Sequence, residues 1–140
     1  MRVRDVMIAP AIEVGPGDSC QKAAELMRDF KTGALVVTTD QHILEGIITD
    51  RDIAIRCTAL GCDPAVEKVG DFCDLNPSSI RPDADLEQAA EATRAAGVRR
   101  LPVVEDSNRV LGMLSLDDIA LDIRRYFDAF AEVAAQYRRT

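Results

Sequence analysis

The hydrophobic positions of the chain change period several times, and they do so twice in the same order. A short extended piece, "AIEV" at 11–14, ends in the proline-bearing turn "GPGDS". Residues 19–30 then set Ala23, Leu26, Met27 and Phe30 three to four apart, the spacing of one helix face, with Asp18 or Ser19 placed as N-cap. The β-branched run "ALVVT" 34–38, the polar turn "TDQH" and the run "LEGIIT" 44–49 predict an antiparallel strand pair, and Asp50 leads into another helix. The second half follows with "SSI" 78–80, the turn "RPDAD" with Asp83 or Asp85 as cap, and a helix over 85–96 carrying Leu86, Ala89, Ala90 and Thr93. Strands "LPVVE" 101–105 and "VLGMLS" 110–115 flank the turn "DSN", and Leu116 opens a last helix. The unit is β-α-β-β-α and occurs twice, which predicts an α/β (α+β) fold of two repeats packed about a pseudo-twofold axis. Neither copy alone buries both faces of its small sheet; two packed face to face do.

The repetition extends to residue identities. "GIITDRDI" 46–53 returns as "GMLSLDDI" 112–119, an offset of 66 that also joins Val3 to Val69, Asp5 to Asp71, Val14 to Ile80, Pro16 to Pro82 and Ala23–Ala24 to Ala89–Ala90. In the middle, Val36–Val37 match Val103–Val104 at 67, which reads as a one-residue insertion undone before Gly112. An internal duplication of this length sets the domain organisation: repeat one over 1–66, repeat two over 67–125, and a helical extension over 126–140.

Composition narrows the function classes. With 47% hydrophobic and 29% charged residues the chain is an ordinary globular protein, and a net charge of −7 argues against non-specific binding to nucleic acid or an anionic membrane. An anionic ligand therefore needs a local basic cluster. No apolar run reaches membrane-spanning length and "MRVRDVM" lacks a signal peptide's apolar core, so the expected location is cytoplasmic. Cys20, Cys57, Cys62 and Cys73 form no CxxC pair and are expected as free thiols. The sole histidine, His42, falls in a predicted turn, and neither it nor any cysteine meets a recognisable catalytic or zinc-binding partner, so no enzyme activity and no metal are expected.

Each residue of the octapeptide has two readings. Gly46 and Gly112 suit either the close approach of another backbone or that of a flat apolar ligand. Thr49 and Ser115 are placed as helix N-caps, and Asp52 and Asp118 as first-turn carboxylates. The same hydroxyl and acid, one helical turn apart, also face one crevice, where a carboxylate accepts hydrogen bonds from a vicinal diol and free N–H groups at the helix start favour a phosphate. Diol, flat ring and phosphate together describe a nucleotide.

These motifs, with "VRDVM" 3–7, "GALVV" 33–37 and "GVRRLPVV" 97–104, resemble a tandem pair of CBS domains, the modules named after cystathionine β-synthase, from Val3 to about Arg125. The resemblance implies two clefts between the repeats that bind an adenosyl ligand: AMP, ADP, ATP or S-adenosylmethionine. It implies that Thr49 and Asp52 hold a ribose in one cleft and Ser115 and Asp118 in the other. Val14, Ile47, Ile80 and Met113 would flank the adenine, and Ala34 and Leu101 would offer backbone groups to its edge. Arg51 gives the first cleft a cation where the second has Asp117, and Arg99 or Arg100, whose first-copy counterparts are read as Thr32 and Gly33, reach across. A phosphorylated ligand is therefore expected in the first cleft.

The stretch "DDIALDIRRYFDAFAEVAAQYRRT" has neither Gly nor Pro, and Ile119, Ile123, Tyr126, Phe127, Phe130, Val133, Ala134 and Tyr137 form one stripe. It either packs on the module's own sheet or overhangs it. CBS modules commonly pair, so a homodimer clasped by this tail is expected. The leading functional expectation is a regulatory sensor acting on an unknown partner protein; the alternative is a dimerisation scaffold with vestigial ligand sites.

Overall fold

Backbone hydrogen bonds in the computed structural model, which describes residues 1–137 and side chains through Gln136, repeat at the offset of 66. The elements are α1 (Val3–Val6), β1 (Glu13–Val14), α2 (Cys20–Phe30), β2 (Ala34–Thr38), β3 (Leu44–Thr49) and α3 (Asp50–Asp52), which runs on through a π-helical turn, Ile53–Cys57. Then come α4 (Val69–Phe72), β4 (Asp74–Leu75), α5 (Leu86–Ala96), β5 (Arg100–Val104), β6 (Val110–Ser115) and α6 (Leu116–Tyr137). Ser19 caps α2 by accepting from the Lys22 N–H, and Asp85 caps α5 with Gln88 returning the bond. Each helix ends on a left-handed residue, Lys31 or Gly97.

The middle of the repeat does not slip. Ala34 pairs with Thr49 and Arg100 with Ser115, and both hairpins carry a bulge after the equivalent residues Val37 and Val103. Val36 therefore corresponds to Pro102, not Val103, and the counterparts of Arg99 and Arg100 are Gly33 and Ala34 rather than Thr32 and Gly33. The expected strand at 78–80 shrinks to one bridge, Ile80 to Val103. Pro102 explains the loss: the Val36 N–H donates to Ile12 O at 3.2 Å, but proline has no N–H for the matching rung.

The halves exchange their opening segments. Val3 N–H bonds Ala84 O and Val69 N–H bonds Asp18 O, both at 2.9 Å, so α1 docks on the second repeat and α4 on the first. Their side chains follow: Val3 and Val6 lie in one core with Ile80, Ala89, Leu101, Val103 and Leu114, while Val69 and Cys73 complete the other with Ala23, Leu35, Val37 and Ile48. β4 pairs with Gly46 and Ile47 of β3, and Ile8 forms the matching bridge to Met113. Gly46 and Gly112 exist for this exchange. A β-carbon on Gly112 would stand 2.5 Å from the Ile8 carbonyl oxygen, and one on Gly46 would stand 2.7 Å from that of Asp74. Of their two readings, backbone approach is the one realised. A smaller cluster of Val36, Leu44 and Val104 joins the halves, where Leu44 N–H bonds Asn108 O and Val110 N–H bonds His42 O.

Only the start of α6 belongs to this core. Ile119 is buried, but Ile123, Tyr126, Phe127, Phe130 and Val133 are 50–73% exposed, so the stripe overhangs the module instead of covering its sheet. At 22 residues α6 is about 33 Å long, and Leu116, Ile119, Ile123, Tyr126, Phe130 and Val133 fall in alternating steps of three and four, a seam of the coiled-coil kind. The Tyr137 side chain and residues 138–140 lie outside the described residues. Among the described residues no helix is long and apolar enough to cross a membrane.

Candidate functional site

Two clefts lie where the repeats meet, each built from a strand-to-helix junction of one repeat, the helix-to-strand corner of the other and an exchanged segment. The first, about 510 Å³, is lined by Ile47, Thr49, Asp50 and Arg51, by Asp74, Pro77 and Ser78, and by Ala96–Arg100. The second, about 370 Å³, is lined by Met113, Ser115, Asp117 and Asp118, by Ile8, Ala11 and Ile12, and by Phe30–Ala34 together with Arg100. Every residue of the second cleft except Asp118 and Arg100 is the 66-offset counterpart of a residue lining the first. The duplication thus produces two versions of one site.

The versions differ in their acids. Asp118 lines the second cleft, but Asp52 does not line the first. Its Oδ2 accepts the Thr49 N–H at 2.9 Å while Thr49 Oγ1 accepts the Asp52 N–H at 3.1 Å, and its Oδ1 lies 3.9 Å from Arg56 Nε. This reciprocal cap occupies the carboxylate, leaving the side chain 13% exposed. The helix start is also closed to a phosphate, contrary to expectation. Asp50 N–H donates to Gly33 O at 3.0 Å, Arg51 N–H to Asp50 Oδ1 at 2.8 Å and Asp52 N–H to Thr49, so no amide of this short helix points free into the cleft.

The cations differ too. Arg99 is held by Asp117, with Nη2 at 2.7 and 2.8 Å from the two carboxylate oxygens, so the acid expected to repel phosphate is neutralised. Both side chains are well exposed, and such a pair contributes no more than about 1 kcal/mol. Arg51 and Arg100 have no carboxylate within 4.0 Å among the described residues, which leaves them as the available cations of the first cleft. Lys31 and Arg100 serve the second.

Three residues expected at the adenine lie elsewhere. Val14, Ile80 and Leu101 are buried core residues that line neither cleft. The second-repeat counterpart of Ala34 is Arg100, not Leu101: Arg100 pairs with Ser115 as Ala34 pairs with Thr49. Ile47, Met113 and Ala34 do line the clefts, as do Thr49, Ser115 and the three arginines. Val14 borders a separate groove with Glu13 and His42, whose Oε2 and Nδ1 are 2.8 Å apart. Among the described residues no three His, Cys, Asp or Glu side chains gather to hold a metal ion. The four cysteines are free, and burial pushes the Cys20 thiol up to about 11, aided by the nearby Cys57 and Glu67.

The family model "CBS domain" matches residues 3–57 and 69–125. The chain is 37% identical over 120 residues to CBS domain-containing protein YhcV of Bacillus subtilis, covering 86% of this chain and 84% of that one. Among solved structures, the CBS domain pair of protein MJ0100 in complex with 5-methylthioadenosine and S-adenosyl-L-methionine superposes with a TM-score of 0.77 at 25% identity, over 92% of this chain and 97% of that one. CBSX2 in complex with AMP does so with a TM-score of 0.78 at 25% identity, over 89% and 97%. Two matched repeats that account for both halves of the core place the chain in the CBS domain family, as a tandem pair.

Proposed function

We propose that the chain is a non-catalytic cytoplasmic regulatory module whose inter-repeat clefts take an adenosyl ligand (AMP, ADP, ATP or S-adenosylmethionine), with phosphorylated ligands in the first cleft. The observation that carries this reading is the pair of guanidinium groups, Arg51 and Arg100, which no carboxylate among the described residues pairs, lining a nucleotide-sized cleft that the duplication reproduces with different charge. Ile47 flanks the base and Thr49 lies at the sugar; in the second cleft Met113, Ser115, Asp118 and the Ala34 backbone take those places. The ligands bound by MJ0100 and CBSX2 support the adenosyl class. Binding acts on a partner protein only through different affinities for two shapes of the module.

Calorimetric titration of AMP tests the reading. Arg51→Ala weakens binding by about tenfold, the loss of one charge-assisted contact, and Asp118→Ala leaves the first cleft intact. Loss of binding in the Asp118 variant alone reverses the site preference. A specific observation favours a second reading, a scaffold with vestigial clefts: Asp52 is spent on its own helix cap. Wild-type protein that takes none of AMP, ATP and S-adenosylmethionine supports the scaffold.

In either reading the partner proposed for α6 is a second copy of the chain. The seam from Leu116 to Val133 keeps a heptad register, and the module itself leaves its apolar residues from Ile123 onward half to three-quarters exposed.

A further inference from the structure

One side chain lines both clefts. Arg100 begins β5 opposite Ser115, half-buried between the two sites, and its counterpart Ala34 supplies no second cation. Its Nη2 lies 3.3 Å from the point where a β-carbon on Gly33 would stand, so glycine there keeps open the space that the guanidinium uses. No carboxylate within 4.0 Å among the described residues ties it to either side. Without Arg100 the first cleft still has Arg51, but the second is left with Lys31 against Asp118, beside an Asp117 already paired with Arg99.

A single guanidinium cannot neutralise anions in both clefts at once. We propose that Arg100 is a specificity-determining residue shared by the two clefts. An anion in the first cleft draws the guanidinium to that side, and the second cleft, one positive charge poorer, then favours a cationic ligand over an anionic one. The inference rests on the ligand reading above and adds to it a coupling between the sites. By linkage that coupling is reciprocal: a cation in the second cleft leaves Arg100 to the first and strengthens anion binding by the same factor.

Calorimetry with AMP as the anionic probe and S-adenosylmethionine, a sulfonium, as the cationic one reads the coupling. In the wild-type protein, saturating AMP tightens S-adenosylmethionine binding roughly fivefold or more, and saturating S-adenosylmethionine tightens AMP binding by the same factor. In Arg100→Gln both factors fall to one; in Arg51→Gln AMP binds more weakly but the factor persists. The Nε–Hε resonance of Arg100 in the wild-type protein, which needs no variant to fold, shifts as AMP binds. Equal affinities with and without the other probe, mutual exclusion of the probes, a factor that survives Arg100→Gln, or an Arg100 resonance indifferent to bound AMP overturns the inference. A protein that takes one probe and never the other has a single usable cleft, and the inference falls while the ligand reading stands. Binding of neither probe overturns both.

Discussion

Alanine at Gly112 puts a methyl carbon 2.5 Å from the Ile8 carbonyl oxygen and 3.1 Å from Met7 Sδ. The nearer atom is backbone, so the exchanged segment must retreat by about 0.9 Å to reach an ordinary 3.4 Å contact. That segment is held there by reciprocal hydrogen bonds, Ile8 N–H to Met113 O and Met113 N–H to Ile8 O, both 2.9 Å. Losing the pair costs about 2 kcal/mol. Forcing the methyl group into the packed layer adds about 1–3 kcal/mol, and the reduced freedom of the unfolded chain returns about 0.4–1 kcal/mol. The expected destabilisation is about 2–4 kcal/mol, a fall in Tm of about 7–14 °C for a chain of this size. Urea unfolding and a thermal melt, both run beside Gly17→Ala, measure it. Gly17 has no atom within 4 Å of its would-be β-carbon and a φ outside the left-handed region, so alanine there is neutral or slightly stabilising. Gly46→Ala, facing Asp74 O at 2.7 Å and Cys73 Sγ at 2.9 Å, belongs with Gly112. If Gly112→Ala costs no more than Gly17→Ala, the motif glycines do not serve the exchange.

Thr49→Ala strips the reciprocal cap from α3 and costs about 1 kcal/mol in urea unfolding, because the Asp52 N–H loses its acceptor. Burial holds the Cys20 thiol at about 11 against an ordinary 9.0, so the unfolded chain gives up its proton first as pH rises. Stability therefore falls between about pH 9 and 11, and Cys20→Ala flattens that limb of a pH-dependent denaturation series. Phe130, the most exposed residue of the α6 seam at 73%, is expected in a dimer interface; light scattering on Phe130→Asp gives a monomer, and a wild-type monomer at the same concentration refutes the seam.

Much of the architecture is legible because long periodic segments leave strong patterns. The helices at 20–30 and 86–96 and all four hairpin strands fall within a residue of the boundaries read from spacing. Four-residue helices such as Val3–Val6 and Val69–Phe72 are too short to show a period, and nothing in a sequence repeated twice says which copy a segment will pair with. The exchange of α1 and α4 is therefore invisible before folding. The glycine that permits it is visible, but its two readings separate only when Ile8 and Asp74 are seen over Gly112 and Gly46. Val103–Val104 match Val36–Val37 in identity, but the ladder follows hydrogen-bond register, and there Pro102 stands in for a valine.

The site divides the same way. Hydroxyl and carboxylate three residues apart suit either a helix cap or a diol clamp, and at identical spacing Asp52 is taken up by the cap while Asp118 lines a cleft. The excess of cation in the first cleft follows directly from Arg51 and Arg100. The bonding of Arg99 to Asp117 needs the fold, because it joins residues 18 apart across a hairpin.

Titrating AMP into uniformly ¹⁵N-labelled protein and following the amide and arginine side-chain resonances tests most directly whether these clefts bind nucleotides and which one takes the phosphate. Saturable shifts gathered on Ile47, Thr49, Arg51 and Arg100 are expected, and in the Arg51→Ala variant the shifts at Ile47, Thr49 and Arg100 require higher AMP. Resonances that stay put at millimolar AMP, or shifts confined to Ser115, Asp117 and Asp118, contradict the proposed function.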